Sequence, residues 1–213
     1  MKKSRMDLLK GGTVVVANGE FPRKGGLEYK VLSNADRVIA CDGAAVEYKR
    51  RFRRDCDFAI GDFDSMEENV QKELGNRAVY RPCQDMNDLE KAICFCIRRG
   101  WGKPIVVGAM GKRADHLIGN VYRAMVLGTT VVTDYGYFIP FRHKIIFEAG
   151  KGEAVSVFSI GEDNHMTSSG LAWPLEKVTK WLPFTGTLNR AEGGCVTLTA
   201  ASPAFIFRAD GLV

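Results

Sequence analysis

The sequence predicts an α/β fold in which an N-terminal parallel-sheet α/β domain is followed by a smaller all-β sandwich domain. In the first two-thirds of the 213 residues, short apolar runs alternate with longer amphipathic stretches, which is the pattern of βα units on a parallel sheet. From about Phe138 onward, frequent glycines separate short runs of β-branched or aromatic residues, a texture typical of β-structure. We expect the two domains to span residues 1–138 and 139–213.

Six apolar runs in the first part predict strands, and the stretches between them predict helices. The strands are expected at Thr13–Ala17, Arg37–Cys41, Phe58–Ile60, Ala78–Arg81, Pro104–Gly108 and Thr130–Thr133. The helices are expected near Ala44–Arg51, Glu67–Leu74, Asp88–Arg99 and Asp115–Leu127. The domain boundary is expected between residues 135 and 145, where the texture changes.

The charge of the chain favours anionic ligands. Its formal net charge is +5, which suits nucleotides without indicating nucleic-acid binding. The one dense basic block, residues 49–54 (KRRFRR), has no accompanying set of stacking aromatics, so we interpret it as a solvated helix end. No nucleic-acid partner is expected.

Cysteine usage and hydropathy indicate a cytoplasmic protein. The six cysteines show neither the C-x₂-C spacing of a zinc site nor the density of a disulfide scaffold, so we interpret them as reduced thiols. The apolar run Val14–Ala17 is too short for a signal peptide. No segment approaches the ~18 consecutive apolar residues of a membrane span, so no membrane partner is expected.

The sharpest motif is a strand that ends in a glycine followed by two carboxylates, in residues 58–65 (FAIGDFDS). In open α/β sheets, ligands bind outside the carboxyl ends of the strands, where Asp62 and Asp64 would lie. Neighbouring carboxylates repel each other and are commonly held together by a cation, and Mg²⁺ prefers such hard oxygen ligands. The alternative is an ordinary turn, since Gly-Asp and Asp-Ser are common in turns.

A second motif, residues 84–91 (QDMNDLEK), leads from a strand into a helix. Asn87 followed by Glu90 fits a capping box, which places Asp88 and Lys91 in the first helical turn and on one face. There a carboxylate can bind a metal ion while the lysine reaches a phosphate oxygen. The alternative is a capped helix with an acidic first turn and no further role.

A third motif, residues 107–120 (VGAMGKRADHLIGN), is again a strand that leaves through a glycine-bearing loop into a helix. Glycines let the backbone approach a phosphate, while Lys112 and Arg113 supply positive charge and Asp115 lies at the start of the helix. His116 and Asn120 share a helix face. Because a lone histidine is more often structural than catalytic, His116 is given a supporting role.

The fourth motif, residues 40–45 (ACDGAA), repeats this order of strand, carboxylate and glycine with Asp42 and Gly43. Alone it is weak evidence. The carboxyl ends of parallel strands meet at one edge of the sheet, however, so all four motifs are expected to converge on one site.

The four motifs occur along the chain in the order DGAA, GDFDS, QDMNDLEKA and GAMGKRADHLIGN. This order resembles that of the thiamine pyrophosphokinases. The pattern of that family is DGGAN, GDFDS, D-x-T-D-x-E-K-A and GG-x-GGR-x-DH-x-x-AN. The resemblance runs from about Asn18 to Asn120. It implies a parallel-sheet domain joined to a β-sandwich domain, and a homodimer with sites between subunits. It also implies transfer of the pyrophosphoryl group of ATP to thiamine with Mg²⁺, giving thiamine diphosphate and AMP.

The resemblance also implies roles for individual residues. The expected Mg²⁺ ligands are Asp62, Asp64 and Asp88, and the other acidic or pocket residues are Asp42, Gly43, Gln84, Asp85 and Asp115. The residues expected to face the nucleotide are Asn18, Lys91, Lys112 and Arg113. An aspartate at the site would accept the hydroxyl proton of thiamine, and Asp85 and Asp115 are the candidates.

In the second domain, residues 170–175 (GLAWPL) resemble the family's G-L-x-W-x-L, in which the tryptophan stacks on thiamine. Trp173 is therefore assigned to thiamine, and an aromatic face suits a flat, partly cationic ligand. The alternative is a tryptophan of the sandwich core. Residues 186–189 (GTLN) lie where the family has S-T-S-N, so that Asn189 matches, Leu188 replaces a serine, and Thr187 is the expected substitute for its hydroxyl.

Two other classes of function compete with this one. A haloacid-dehalogenase-like phosphatase also uses D-x-D after a strand, with the first aspartate as a covalent nucleophile. That motif normally follows an early strand, whereas here two predicted strands precede it. A non-catalytic nucleotide or thiamine sensor would lose its metal ligands, whereas this chain has the full acidic set.

Overall fold

The computed structural model of the protein describes residues 10–210 and divides them into two compact units, 10–134 and 135–210. The first is an α/β unit on a parallel sheet and the second is an antiparallel β unit, which confirms the predicted fold class. The division into these units falls after Asp134. The domain boundary after residue 138 stays a prediction. Residues 1–9 and 211–213 of the predicted domains lie outside the described residues.

The parallel sheet of the first unit has the strand order β6-β5-β1-β2-β3-β4. Its strands are β1 (Thr13–Val16), β2 (Arg37–Cys41), β3 (Phe58–Gly61), β4 (Ala78–Tyr80), β5 (Ile105–Val107) and β6 (Thr130–Thr133). Its helices are α1 (Leu27–Ser33), α2 (Ala44–Phe52), α3 (Glu68–Leu74), α4 (Asp88–Arg98) and α5 (Ala114–Val126). A 3₁₀ turn, Gly75–Arg77, precedes β4.

The apolar runs form strands because this sheet is covered on both faces. Val15 of β1 pairs with Ile39 of β2 on one side and with Val106 of β5 on the other. All three side chains are fully buried. Parallel strands that are buried on both faces have continuous apolar runs rather than alternating ones. The strand bounds predicted from the sequence are therefore close to those in the structure.

The sequence did not predict helix α1. This helix has only seven residues, starts after Gly26 and lacks a side-chain hydrogen bond at its N-cap, so it has no clear start signal. It packs through Leu27, Val31 and Leu32, which are buried, and the i, i+4 spacing of Leu27 and Val31 was the available signal. Of the helices in residues 10–210, none has the length and hydropathy to span a membrane.

The second unit is an antiparallel sheet in the order β10-β8-β11-β7, with β9 also paired to β11. Its strands are β7 (Gly136–Ala149), β8 (Ala154–Ser159), β9 (Met166–Ser169), β10 (Gly186–Arg190) and β11 (Gly194–Ala209). The register of β11 against β7 shifts between Ala200 and Ala204. Before the shift β11 pairs with β9 and after it with β8, so one long strand serves two sets of neighbours.

Candidate active site

The loops that follow β1 to β5 surround a cavity of about 410 Å³ at the carboxyl edge of the parallel sheet. Among the residues that line it are ten predicted for the site: Asn18, Asp42, Asp62, Asp64, Gln84, Asp88, Lys91, Lys112, Arg113 and His116. Three further predicted residues of this unit, Gly43, Asp85 and Asp115, are not among the lining residues. The topology therefore gathers motifs that lie far apart along the chain.

Three carboxylates form the acidic centre of the cavity. Asp42, Asp62 and Asp64 each offer an oxygen, and these oxygens all lie within 4.8 Å of one another. The Mg²⁺ ligands predicted from the sequence were instead Asp62, Asp64 and Asp88. Asp88 lines the same cavity, but one of its oxygens lies 2.8 Å from the Lys91 ammonium.

Asp42 is the buried member of this cluster. It follows β2 with a left-handed backbone, φ 43°, a conformation that is costly for a residue with a side chain and is often found at functional sites. Its Oδ2 accepts a hydrogen bond from the Ser65 amide at 3.1 Å. Its Oδ1 is buried and has no hydrogen-bond partner. Burial, followed by the closeness of Asp64, raises the pKa of Asp42 to about 6.

These features fit a divalent cation. Two carboxylates can be joined only through a shared proton or through a cation, because neither ionised group has a hydrogen to donate. A cation between Asp42 and Asp64 would engage the unpartnered oxygen and remove the repulsion between the two carboxylates. Hard carboxylate oxygens are the ligands that Mg²⁺ prefers.

The turn after β3 presents the other two members of the cluster, the half-buried Asp62 and the exposed Asp64. Gln84 donates a hydrogen bond to Asp62 Oδ2 at 3.0 Å, and this bond lowers the pKa of Asp62. The Ser65 hydroxyl donates to Asp64 Oδ1 at 2.8 Å. Phe63 between them has φ 63°, so the two aspartates are held by a second left-handed turn.

Gly61 allows the neighbouring carboxylates to approach the end of β3. A Cβ at this position would lie 2.9 Å from Asp42 Cβ and 3.4 Å from Asp88 Cγ. Real Cβ atoms do not approach as closely as the first of these distances. The glycine of the GDFDS motif is therefore required by the packing of Asp42 against the strand.

The start of α4 has the predicted cap. The Asn87 side chain accepts a hydrogen bond from the Glu90 amide at 2.9 Å, which confirms Asn87 as the N-cap. The Asn87 amide also donates to Asn120 Oδ1 of α5 at 3.1 Å. Lys91 is buried, as lysine rarely is without a partner, and Asp88 supplies that partner. The sequence gave no signal of the Asn87–Asn120 contact, which joins two separate motifs.

The loop after β1 and the loop after β5 are bound to each other. The Gly19 amide donates to the Gly108 carbonyl at 2.9 Å, and the Glu20 amide donates to the Met110 carbonyl at 2.7 Å. A Cβ on Gly19 would lie only 2.4 Å from each of those carbonyl oxygens, so the close approach requires glycine there. The Lys112 ammonium donates to the carbonyl and side-chain oxygens of Asn18 at 3.2 and 3.3 Å. Asn18 and Lys112 are thereby held together at the rim of the cavity.

Arg113 and Asp115 form an exposed pair at the start of α5. Two guanidinium nitrogens donate to the two carboxylate oxygens at 3.1 and 2.6 Å. This pairing lowers the pKa of Asp115 to about 2. Such a carboxylate is a weak base, and Asp115 does not line the cavity. The other predicted proton acceptor, Asp85, accepts a weak hydrogen bond from the Cys83 thiol at 3.7 Å and also lies outside the lining.

The predicted thiamine residues lie in the second unit. Trp173 is 58% exposed, whereas the buried tryptophan of this unit is Trp181 at 3%, so the alternative of Trp173 as a core residue is wrong. Asn189 is buried and hydrogen-bonds to the main chain of Trp173 rather than projecting outward. The Thr187 hydroxyl donates to the Phe184 carbonyl at 2.7 Å. Leu188 is 83% exposed with φ 64°.

Two family models match the chain. One, described as thiamin pyrophosphokinase, catalytic domain, matches residues 29–131. The other, described as thiamin pyrophosphokinase, substrate-binding domain, matches residues 136–207. No curated protein matches the chain.

Solved structures show the same fold. The yeast thiamin pyrophosphokinase is 15% identical, with a TM-score of 0.76 over 97% of this chain and 90% of that one. The Bacillus subtilis thiamine pyrophosphokinase is 20% identical, with a TM-score of 0.71 over 94% of this chain and 100% of that one. The Candida albicans thiamin pyrophosphokinase is 12% identical, with a TM-score of 0.71 over 96% and 90%.

Proposed function

The chain belongs to the thiamin pyrophosphokinase family, and we propose that its N-terminal cavity transfers the pyrophosphoryl group of ATP to the hydroxyl of thiamine. The observation that carries this proposal is the composition of the cavity. It combines a cluster of three carboxylates with the cations of Lys91, Lys112 and Arg113 at the carboxyl edge of one sheet. A metal–triphosphate complex requires both kinds of charge.

We propose Asp42, Asp62 and Asp64 as the ligands of Mg²⁺. The unpartnered oxygen of Asp42 supports its inclusion, and the pairing of Asp88 with Lys91 makes Asp88 a less available ligand than the sequence predicted. When bound, Mg²⁺ would neutralise charge on the phosphate oxygens and orient the triphosphate.

The residues of the chain would act by positioning and by electrostatics. Lys91 and Lys112 are each fixed by a hydrogen bond, to Asp88 and Asn18, so their ammonium groups are preorganised toward a triphosphate. The thiamine hydroxyl oxygen attacks the β-phosphorus, and the bond from that phosphorus to the oxygen it shares with AMP breaks. AMP leaves with that oxygen, and the two outer phosphates remain on thiamine.

The hydroxyl proton must pass to a base as the new bond forms. Asp115 is poorly suited, because Arg113 lowers its pKa to about 2 and because it lies outside the cavity lining. We propose that the acceptor is an ionised carboxylate that lines the cavity.

For thiamine we propose a place against the exposed ring of Trp173 in the second unit, as the resemblance implies. The match of residues 136–207 to a substrate-binding domain supports this assignment. We further propose that the protein works as a homodimer with its sites at the subunit interface, with ATP and thiamine as its small-molecule substrates.

The test is incubation of the full chain with ATP, Mg²⁺ and thiamine, followed by mass analysis. Thiamine heavier by one diphosphoryl unit, together with an equal amount of AMP, is the expected result. Release of inorganic phosphate with a phosphorylated Asp62, and no requirement for thiamine, would instead indicate phosphatase chemistry and overturn the proposal.

A further inference from the structure

Glu28 of helix α1 is a buried carboxylate that the proposed reaction does not use. The residue is 5% exposed, and its Oε1 accepts the Gly108 amide hydrogen at 3.0 Å. Neither Glu28 nor Gly108 lines the cavity of the candidate site. The bond is nevertheless connected to the site, because Gly108 begins the loop after β5 that carries Lys112 to the cavity.

The main chain of Gly108 is held by two separate segments. Its amide hydrogen is bound by Glu28, and its carbonyl accepts the Gly19 amide hydrogen at 2.9 Å. Gly108 has φ 66°, and a Cβ there would lie 3.0 Å from the Ala17 carbonyl oxygen, so the residue is closely packed beside the end of β1. Helix α1 and the loop after β1 together therefore set its position.

The position of Gly108 is transmitted along the short loop to Lys112. Gly111 has φ 72°, and a Cβ there would lie 2.6 Å from Glu20 Cβ. Lys112 itself has φ 53°, and its ammonium group donates to the Asn18 carbonyl at 3.2 Å. A loop with such close contacts cannot absorb a displacement at its start, so a shift of Gly108 would move Lys112 relative to the carboxylate cluster.

The stability of the fold does not explain a carboxylate at this position. Burial, opposed by the Gly108 hydrogen bond and assisted by Asp134 and Glu20, raises the pKa of Glu28 to about 7. Carboxylates whose pKa is strongly shifted by burial cluster at functional sites. The ionised and the protonated carboxyl group both offer an oxygen to the amide, so the bond to Gly108 persists in either form.

We propose that Glu28 is a positioning residue that fixes the Gly108 main chain and thereby holds the Lys112 ammonium group in place for a bound triphosphate. Glu28 acts through the loop and touches no substrate. This inference rests on the proposed function, which assigns Lys112 to the phosphates.

Calorimetric titration with inorganic tripolyphosphate and Mg²⁺ tests the assignment, because this probe measures phosphate binding without thiamine and without turnover. Glu28→Leu removes the acceptor, and Glu28→Asp shortens the side chain by one methylene group. Each should weaken tripolyphosphate binding about tenfold, the effect of one misplaced hydrogen bond to a charged group. Glu28→Gln keeps an acceptor at the same reach and should bind within twofold of wild type. If urea unfolding shows that Glu28→Leu is not folded, the comparison of Glu28→Asp with Glu28→Gln decides.

A double-mutant cycle with Lys112 separates positioning from a general effect on the fold. Lys112→Ala alone should weaken tripolyphosphate binding about tenfold. Adding Glu28→Leu should then weaken binding by less than a further twofold, because the group that Glu28 positions is already absent. Independent effects, which multiply to about a hundredfold, would show that Glu28 does not act through Lys112 and would overturn the proposal.

Asp57→Ala is the matched control. The Asp57 carboxylate accepts the Val38 amide hydrogen at 2.7 Å, so it also binds the main chain of the sheet, but at the start of β2 rather than beside the cavity. Its loss should leave tripolyphosphate binding within twofold of wild type. An equal loss in Asp57→Ala, unchanged binding in Glu28→Leu and Glu28→Asp, or a loss in Glu28→Gln as large as in Glu28→Leu would each overturn the proposal. Failure of the proposed function is distinguishable, because wild-type protein would then make no thiamine diphosphate while these binding differences persisted.

Discussion

The side chain of Asn189 binds the main chain of Trp173. The Asn189 side-chain oxygen accepts the Trp173 amide hydrogen at 3.2 Å, and the Asn189 side-chain nitrogen donates to the Trp173 carbonyl at 2.7 Å. The buried asparagine thus occupies both polar groups of one exposed residue, which makes it a positioning residue for the indole ring rather than a group that faces the ligand.

Asn189→Ala should therefore raise the KM for thiamine about tenfold and leave the KM for ATP within twofold, because the Trp173 segment loses both anchors. Loss of the two bonds should also lower the free energy of unfolding by about 1–3 kcal/mol. Asn189→Asp keeps the acceptor and loses the donor, so an intermediate KM is expected. Steady-state kinetics with each substrate varied in turn decides this. Equal changes in both KM values would contradict the positioning role.

Substitution of Trp173 should mainly affect thiamine binding, whereas substitution of Trp181 should mainly affect stability. Trp173→Ala removes a 58% exposed ring, so thiamine binding should weaken at least tenfold while the free energy of unfolding changes by less than about 1 kcal/mol. Trp181→Ala empties a buried site and should cost about 3–5 kcal/mol. Urea unfolding and thiamine titration of both variants provide the measurement. A large loss of stability in Trp173→Ala would indicate that Trp173 has a structural role instead.

Asp64→Asn should abolish the formation of AMP from ATP and thiamine, with a loss of at least about 10²-fold in turnover, because one charge of the carboxylate cluster is removed. The fold should be intact, since Asp64 is exposed. Asp163→Asn, an exposed aspartate of the second unit, is the control and should retain full activity. Near-normal turnover of Asp64→Asn would refute the metal assignment.

Gly61→Ala tests whether the strand end positions the cluster. The added methyl group would lie 2.9 Å from Asp42 Cβ, so Asp42 must shift and turnover should fall at least tenfold. At Gly150 nothing lies within 4 Å of an added Cβ, so Gly150→Ala should leave turnover unchanged. Circular dichroism should show both variants folded. Equal turnover of the two alanine variants would show that the contact at Gly61 is not important for catalysis.

Glu28 of α1 should make stability depend on pH. This buried carboxylate accepts the Gly108 amide hydrogen at 3.0 Å, and burial raises its pKa from 4.5 to about 7, with smaller contributions from Asp134 and Glu20. Because the folded-state pKa is the higher one, folding takes up a proton between about pH 4.5 and 7. The contribution of Glu28 to the free energy of unfolding is therefore fully present below pH 4.5 and is lost as the pH rises through 7.

Glu28→Gln keeps an oxygen that can accept the Gly108 hydrogen and removes this titration. The variant should exceed wild type in stability by up to about 3 kcal/mol above pH 7, and the difference should close toward pH 4.5. Urea unfolding of both proteins at pH 5 and pH 8 measures the two differences. A difference that is the same at both pH values would show that Glu28 does not titrate in this range.

The parallel-sheet half of the fold was predictable because buried parallel strands leave a strong signal. Strands β2 and β6 have the predicted bounds, Arg37–Cys41 and Thr130–Thr133. Helix α1 was missed because seven residues after Gly26 carry neither a side-chain cap nor a long periodic pattern. In the second unit the sequence indicated only the β texture, since the 14- and 16-residue strands β7 and β11 each combine buried and exposed stretches.

The candidate site was predictable as a set of residue types but not as a set of roles. The motifs of Asp42, Asp62, Asp88 and Lys112 each follow a strand, so their convergence on one edge follows from parallel-sheet geometry. Whether each carboxylate faces the cavity, pairs with a cation or is buried depends on neighbours from other segments. Asp62 illustrates this, because its Oδ2 accepts a hydrogen bond from Gln84, 22 positions away, and this bond lowers its pKa.

The sequence by itself determined the fold class, the family and the order in which carboxylates, glycines and cations follow the strands, because these are properties of local pattern. Only the tertiary structure decided that Asp42 is the carboxylate with a buried, unpartnered oxygen and that Asn189 binds the main chain of Trp173. The physical reason is that burial and hydrogen bonding depend on contacts across the chain, such as that of Asp42 with Ser65, 23 positions away. No local pattern records such contacts.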